Sequence, residues 1–290
     1  MYQRLAKKST IVRTKLWLLR SAFRTAEVIA PGWGARAATS LWFSPPPSPR
    51  ATPLPPGGES FEVTWLGGVV RGTWWGSGPV VYLMHGWGGR GDQFAAFVEP
   101  LVAAGLRVVL FDAPSHGKSD PGASGRRRTH GVEFGRALDD VAARFGPARA
   151  VVAHSMGGVP TLLAMRDGWL GAERLVFVAP MADLATYFDR FESMMGFGPR
   201  IRRRMDVETE RRTGRGVDDF NLGRLAADLE KLPPALVIHD RADRETSYDA
   251  SADVVSAWPD ATLMATEGLG HRRILRDPAV VAATVRHVTR

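Results

Sequence analysis

The chain has 290 residues, enough for a full hydrophobic core, with 44% hydrophobic and 23% charged residues as in ordinary globular proteins. It contains no cysteine, which excludes disulfides, thiol nucleophiles and thiolate metal sites. No apolar run in the sequence approaches the roughly 18 residues that a membrane-spanning helix requires.

The net charge of +8 is concentrated at the start of the chain. Residues 1–58 contain nine Lys or Arg and a single acid, Glu27, which leaves 29 charges of each sign in residues 59–290. A neutral body argues against a nucleic-acid-binding face on the folded domain, so we expect no nucleic-acid partner.

The N-terminal arm contains an apolar stripe at helical spacing that ends at Pro31-Gly32. The stripe comprises Val12, Leu16, Leu19, Phe23, Ala26 and Ala30. We expect it to pack on the body of the protein. The alternative is peripheral contact of residues 1–30 with an anionic membrane surface, because a basic amphipathic helix can lie there. No segment is long enough for a secretory signal, so a cytoplasmic location is expected.

Seven prolines within residues 45–58 indicate an extended linker, which divides the chain into an arm, 1–58, and a domain, 59–290. Short runs rich in β-branched residues then alternate with helical patterns. Strands are predicted at Phe61–Trp65, Val69–Trp75, Val80–Met84, Arg107–Phe111, Ala150–Ala153, Arg174–Val178, Ala235–His239 and Ala261–Ala265. The first two form a hairpin around Gly67-Gly68, and the alternation predicts an α/β fold with a mostly parallel, doubly wound sheet.

Residues 181–231 contain no strand-like run and are predicted to form a helical lid inserted after the sixth strand. An apolar stripe from Leu184 to Met195 is expected to line an apolar pocket for an acyl chain. Two further helices are predicted at Arg200–Arg212 and Phe220–Leu229. The arginine cluster that opens the first of them is interpreted as a solvated helix face.

The most informative stretch is the sequence Ala153-His154-Ser155-Met156-Gly157. It follows a buried strand and opens a helix, and it matches the nucleophile elbow pattern G-x-S-x-G except that alanine replaces the first glycine. Such a sharp strand-to-helix turn projects the serine hydroxyl toward the N–H groups that begin the helix. The pattern therefore predicts Ser155 as a nucleophile.

A serine nucleophile needs a histidine base and a carboxylate that orients it. Of the three histidines after Ser155, His239 ends a strand and His287 lies in the last helix. His271 follows the last strand in a glycine-containing loop, where a base can face the serine. The acid should follow the preceding strand, where Asp240 and Asp243 are both available, and we predict Asp243.

From about residue 60 to 290, the chain resembles the α/β-hydrolase superfamily, and in particular little-characterised bacterial members of it. The resemblance rests on four motifs, which are His85-Gly86-Trp87-Gly88, Asp112-Ala113-Pro114-Ser115-His116-Gly117-Lys118-Ser119, the elbow, and Gly270-His271. It implies a serine hydrolase that cleaves an ester or thioester of a small or acyl-chain substrate without cofactor or metal. It also implies an oxyanion hole formed by the N–H groups of Trp87 and Met156. One departure is that Asp240 replaces a glycine usual in the family.

The sequence also contains a pattern typical of another class of protein. Gly86, Gly88 and Gly91 fit the dinucleotide fingerprint G-x-G-x-x-G, with Asp112 about twenty residues on. A dinucleotide-binding oxidoreductase would leave Ser155 and its predicted partners unexplained. Acyl transfer and C–C bond hydrolysis would use the same serine chemistry, and a non-enzymatic docking protein is the alternative from another class.

Overall fold

The computed structural model describes residues 2–66 and 68–290, and side chains from residue 13 onward. Gly67 of the predicted hairpin turn and the Val12 side chain of the predicted stripe lie outside the described residues. The chain divides into a helical unit, Met1–Phe43 with Leu184–Asp219, and a sheet unit, Ser44–Asp183 with Phe220–Arg290.

The sheet unit is built on an eight-stranded sheet with the order β1-β2-β4-β3-β5-β6-β7-β8. Its strands are β1 (Glu59–Trp65), β2 (Gly68–Trp75), β3 (Val80–Met84), β4 (Arg107–Asp112), β5 (Ala148–His154), β6 (Ala172–Val178), β7 (Ala235–Asp240) and β8 (Ala261–Thr266). All eight predicted strands are present, with boundaries within about two residues. β1 and β2 form an antiparallel hairpin, β2 pairs antiparallel with β4, and the strands from β3 to β8 run parallel. The predicted fold class is confirmed.

The helices follow the strands in the expected alternation. They are α1 (Tyr2–Ile29), α2 (Pro31–Trp42), α3 (Ala95–Ala103), α4 (Gly131–Phe145), α5 (Gly158–Arg166), α6 (Leu184–Met195), α7 (Pro199–Thr213), α8 (Leu222–Ala227), α9 (Tyr248–Ser256), α10 (Gly270–Arg273) and α11 (Pro278–Thr289). Every residue of β3 and β7 is buried, as expected for strands covered on both faces. Because β3 to β8 are parallel, the loops after them meet at one edge of the sheet. Among the described residues, none of the helices has the length and apolar character needed to cross a membrane.

The helical unit combines the arm helices α1 and α2 with α6 and α7 around its own core. The buried residues of that core are Phe23, Ala26, Ala35, Ala38, Phe188, Phe191, Phe197, Ile201 and Met205. Three residues of the predicted arm stripe, Leu19, Phe23 and Ala26, pack in this core with residues of α6 and α7. Glu27 also joins the arm to α7, because its carboxylate accepts the N–H groups of Gly198, Arg200 and Ile201 at the start of that helix.

The arm helix α1 ends at Ile29, directly before Pro31-Gly32, as predicted. A second helix that was not predicted, α2, begins at Pro31, since proline is well suited to a first helical position. One expectation for this unit is wrong. The stripe of α6 was expected to line an acyl pocket, but Phe188 and Phe191 are buried in the core of the helical unit, where Trp42 contacts both rings. A lid role for residues 181–231 stays a prediction.

Candidate active site

Ser155 lies where β5 ends and a short 3-10 turn leads into α5. Its backbone φ is +55°, in the left-handed region where a non-glycine residue costs about 1–3 kcal/mol. Glycines make room around it: a Cβ on Gly157 would lie 2.7 Å from the Met84 carbonyl oxygen, and one on Gly86 would lie 2.7 Å from Ser155 Cβ. Ala153, which replaces the first glycine of the pattern, is fully buried within the strand.

Two buried histidines hold the loop that follows β3. His85 Nε2 accepts the Ala113 N–H at 2.9 Å, and its Nδ1 donates to the Gly86 carbonyl at 2.8 Å. His116 Nε2 accepts the Gly88 N–H at 2.9 Å, while its Nδ1 donates to a carbonyl of its own loop. Burial lowers the pKa of both rings, that of His116 to about 3. Both are therefore neutral rings with a tautomer set by the backbone.

The N–H groups predicted to form an oxyanion hole belong to Trp87 and Met156. The Trp87 N–H donates to no acceptor among the described residues. Met156 follows Ser155 in the 3-10 turn, whose leading N–H groups lack a partner within the turn. The loop carrying Trp87 lies against the serine, since a Cβ on Gly86 would be 3.2 Å from Ser155 Oγ.

Asp243 and His271 contact each other directly. Asp243 Oδ2 accepts from His271 Nδ1 at 2.8 Å and from the Thr246 hydroxyl at 2.9 Å. Asp243 Oδ1 accepts the N–H groups of Glu245 and Thr246 at 2.7 and 3.1 Å. Burial alone would raise the pKa of Asp243, but hydrogen bonds from His239 and His271 hold it well below its usual range. The carboxylate is thus ionised and fixed on Nδ1 of His271.

Asp240, the other carboxylate at the end of β7, is used by the turns around it. Its Oδ1 accepts a backbone N–H of its own turn at 3.0 Å, and its Oδ2 accepts the Thr266 hydroxyl and the Leu269 N–H at 2.9 and 2.8 Å. These bonds fix the loop that leads into α10. Of the two aspartates, the structure joins Asp243 to His271.

His154 connects the elbow to the segment that carries His271. Its Nε2 donates to the His271 carbonyl oxygen at 2.8 Å, and Gln93 Nε2 donates to its Nδ1 at 3.2 Å. Burial, together with the nearby His271, lowers the pKa of His154 to about 3, so this ring is neutral. Among the described residues, the Ser155 hydroxyl is not hydrogen-bonded to the His271 ring. Such bonds are often long in free enzymes and tighten when substrate binds.

Three residues of this arrangement were not predicted from the sequence to be parts of the site. Thr246 follows Asp243 by three residues, a spacing typical of turns in which an aspartate accepts the following backbone N–H groups. His239, considered as a base, lies behind the carboxylate with Nε2 3.4 Å from Asp243 Oδ2 and Nδ1 2.7 Å from Ser251 Oγ. His154 could be noticed only as the variable residue before the serine.

The glycines of the dinucleotide pattern lie where the chain packs too closely for a side chain. A Cβ on Gly91 would lie 2.9 Å from the Phe111 carbonyl oxygen. Asp112, which would bind a ribose, already accepts the N–H groups of Gly91 and Lys118 at 2.8 Å each. Within the described residues, no three carboxylate or imidazole groups converge on a point that could hold a metal ion.

The sheet is parallel from β3 to β8 with an antiparallel hairpin at one edge, and a strained serine lies between a strand and a helix. This is the arrangement of an α/β-hydrolase enzyme. Residues 80–284 match the alpha/beta hydrolase family, and the chain belongs to that family. The resemblance inferred from the four motifs is thereby confirmed.

Several known proteins are similar to this chain. It is 42% identical over 82 residues to a 2-hydroxy-6-oxononadienedioate/2-hydroxy-6-oxononatrienedioate hydrolase of Cupriavidus pinatubonensis, covering 27% of this chain and 28% of that protein. The chain thus spans less than a third of that relative. It is 29% identical over 188 residues to a pimeloyl-(acyl-carrier protein) methyl ester esterase of Methylococcus capsulatus, covering 58% of this chain and 70% of the esterase. The thioesterase domain from the curacin biosynthetic pathway shares the fold, with a TM-score of 0.59 at 17% identity over 80% of this chain and 99% of that domain.

Proposed function

We propose that this protein is a serine hydrolase that cleaves an ester or thioester bond of a small or acyl-chain substrate through Ser155, His271 and Asp243. The observation that carries the proposal is the 2.8 Å contact between Asp243 and His271, which His154 ties to the elbow. Each residue of the trio follows a different strand, at the edge of the sheet where members of this fold carry out their chemistry.

In the first half of the reaction, Ser155 Oγ attacks the carbonyl carbon of the substrate and its proton passes to His271 Nε2. The carbonyl π electrons move to oxygen, and the N–H groups of Trp87 and Met156 donate to the oxyanion that forms. Each such donor contributes roughly 2.7–4 kcal/mol in enzymes of this type. When the intermediate collapses, the alcohol or thiol leaves with the proton from His271, and the acyl group remains on Ser155.

In the second half, water replaces the serine as nucleophile. His271 Nε2 takes a proton from the water, the carbonyl passes through a second oxyanion, and Ser155 recovers its proton as the acid is released. Asp243 stays ionised throughout, keeps the other ring proton on Nδ1 and stabilises the imidazolium that forms in each half. His85 and His116 hold the loop of Trp87 in place and exchange no proton.

The bond that we propose is cleaved is an ester or thioester. The esterase of Methylococcus capsulatus supports an ester of an acyl chain as the substrate class. Acyl transfer and C–C bond hydrolysis would begin with the same serine and differ in the acceptor or leaving group. We further propose that residues 181–231 act as a lid that excludes water during the first half.

The test is turnover of p-nitrophenyl esters of two to twelve carbons, and of matching acyl thioesters, by the full-length chain. We expect a burst of p-nitrophenol equal to the enzyme concentration, followed by slower turnover as the acyl-enzyme hydrolyses. Ser155→Ala and His271→Gln should each lose the burst and at least roughly 10⁴-fold in kcat. Turnover of these substrates by Ser155→Ala at the wild-type rate would refute the proposal.

A further inference from the structure

The first arm helix has two apolar faces of different character. Leu19, Phe23 and Ala26 pack into the core of the helical unit. The opposite face is exposed to solvent although it is also apolar, and at 100° per residue its members share one side of the helix. They are Trp17, Leu18, Val28 and Ile29, which are 65%, 55%, 69% and 75% exposed.

The exposed apolar residues are concentrated in the helical unit. Among the described residues, eight of the nine large hydrophobic side chains that are exposed belong to it, and the ninth is Leu66. Six of the eight lie on α1 and α2, including both Trp17 and Trp33. Single exposed hydrophobic residues are ordinary on a protein surface, whereas α1 exposes two pairs, Trp17-Leu18 and Val28-Ile29, on one side, with only small residues between them.

Positive charge borders this face. Arg13, Lys15, Arg24 and Arg36 are exposed on the two arm helices. Helical spacing places Arg13 and Arg24 beside Trp17 on one flank and Lys15 on the other. Glu27, the only acid in either helix, has its carboxylate on the N–H groups that begin α7, and those hydrogen bonds keep its pKa low although burial acts in the opposite sense. The arm therefore presents apolar and cationic groups without an exposed acid to offset them.

We propose that this face of α1, defined by Trp17, Leu18, Val28 and Ile29 with its arginine and lysine border, binds the surface of an anionic lipid bilayer. Trp side chains favour the boundary between headgroups and acyl chains, and cationic residues around an apolar stripe attract anionic headgroups. A second copy of the chain would bury the apolar face but would bring like charges together at its border. The charge pattern therefore selects the bilayer as the occupant.

The experiment is sedimentation of the full-length protein with vesicles of phosphatidylcholine alone, or with 30% phosphatidylglycerol, at low and high salt. We expect binding to the anionic vesicles that weakens with salt. The double variant Trp17→Ser with Val28→Ser should bind roughly tenfold more weakly, because burial of these side chains is lost. Arg13→Gln with Arg24→Gln should weaken binding roughly fivefold per residue.

Val207→Ser is the matched control, because Val207 is also helical and 66% exposed but lies on α7. It should bind anionic vesicles as the wild type does. Ester turnover in solution and the melting temperature verify that each variant is folded. Three outcomes would overturn the proposal: no binding of the wild type at low salt, equal loss in Val207→Ser, or a dimer by light scattering that Trp17→Ser dissociates while vesicles are not bound.

Discussion

Replacement of Asp243 by asparagine is the substitution for which the structure gives the most specific expectation. Asp243 Oδ1 accepts two backbone N–H groups, whereas Oδ2 faces His271 Nδ1 and the Thr246 hydroxyl. An asparagine side chain would place its amide oxygen where the two backbone donors point. Its NH₂ group would then face His271 Nδ1.

An NH₂ group in that place can only donate, so Nδ1 of His271 would have to accept and the ring proton would move to Nε2. Nε2 is the atom that must take the proton of Ser155, and a protonated nitrogen cannot. The wrong tautomer costs roughly 10⁴-fold in kcat in serine triads. At 1.36 kcal/mol per factor of ten, this is a loss of about 5.4 kcal/mol of transition-state stabilisation.

Asp240→Asn is the matched control, with the same chemical change three residues away. Two donors point at Asp240 Oδ2, so the amide oxygen of the asparagine would occupy the position of Oδ2. Its NH₂ group would then face the N–H of Ala242, and two donors would meet. We expect a loss of about 1–3 kcal/mol in the free energy of unfolding and a fall in kcat of no more than about tenfold. The assay is kcat and KM for a p-nitrophenyl ester, with urea denaturation of both variants. A larger loss of kcat in Asp240→Asn than in Asp243→Asn would refute the reasoning.

Further changes are expected from the structure. Gly157→Ala would put a methyl carbon 2.7 Å from the Met84 carbonyl oxygen and should lower the free energy of unfolding by about 1–3 kcal/mol, measured with urea. His154→Leu removes the hydrogen bond to the His271 carbonyl and should lower kcat roughly 10–100-fold while KM changes little, whereas an unchanged kcat would show that the bond does not position the base. His116 and His154 have pKa values of about 3 in the folded chain, below the roughly 6.5 of an unfolded histidine. The unfolded chain thus binds more protons between these values, so stability is complete above about pH 6.5 and falls as the pH drops toward 3. His116→Gln should reduce that slope by about 1.4 kcal/mol per pH unit, and an unchanged slope in urea titrations would contradict it.

The sheet could be predicted from the sequence because each strand is a short apolar run with turn residues at both ends. Ser155 could be predicted as the elbow serine for a similar local reason, since small residues are required where a strand turns sharply into a helix. Asp243 and His271 needed one further step, namely that parallel strands end at the same edge of the sheet. These inferences depend on local patterns and on one general property of the fold.

The remaining features depend on contacts between distant parts of the chain. The apolar stripe of the arm is evident in the sequence, but its partners in α6 and α7 lie more than 150 residues away along the chain. Many other apolar surfaces could equally have buried it. From the sequence, Glu27 is expected to be an ordinary surface acid. Only the folded structure brings the N–H groups of Ile201 and its neighbours to its carboxylate. The link from Gln93 through His154 to His271 likewise joins three segments that share no sequence pattern.

The central claim is that Ser155 is an activated nucleophile, and covalent labelling with a fluorophosphonate probe followed by peptide mass spectrometry tests it most directly. Ser115 provides the control, because it also has a positive φ after a strand but its hydroxyl donates to the Arg128 carbonyl at 2.7 Å. We predict one adduct per chain on the peptide containing Ser155, no adduct in Ser155→Ala, and labelling of Ser115→Ala like that of the wild type. An adduct on another serine, or labelling that persists in Ser155→Ala, would contradict the claim.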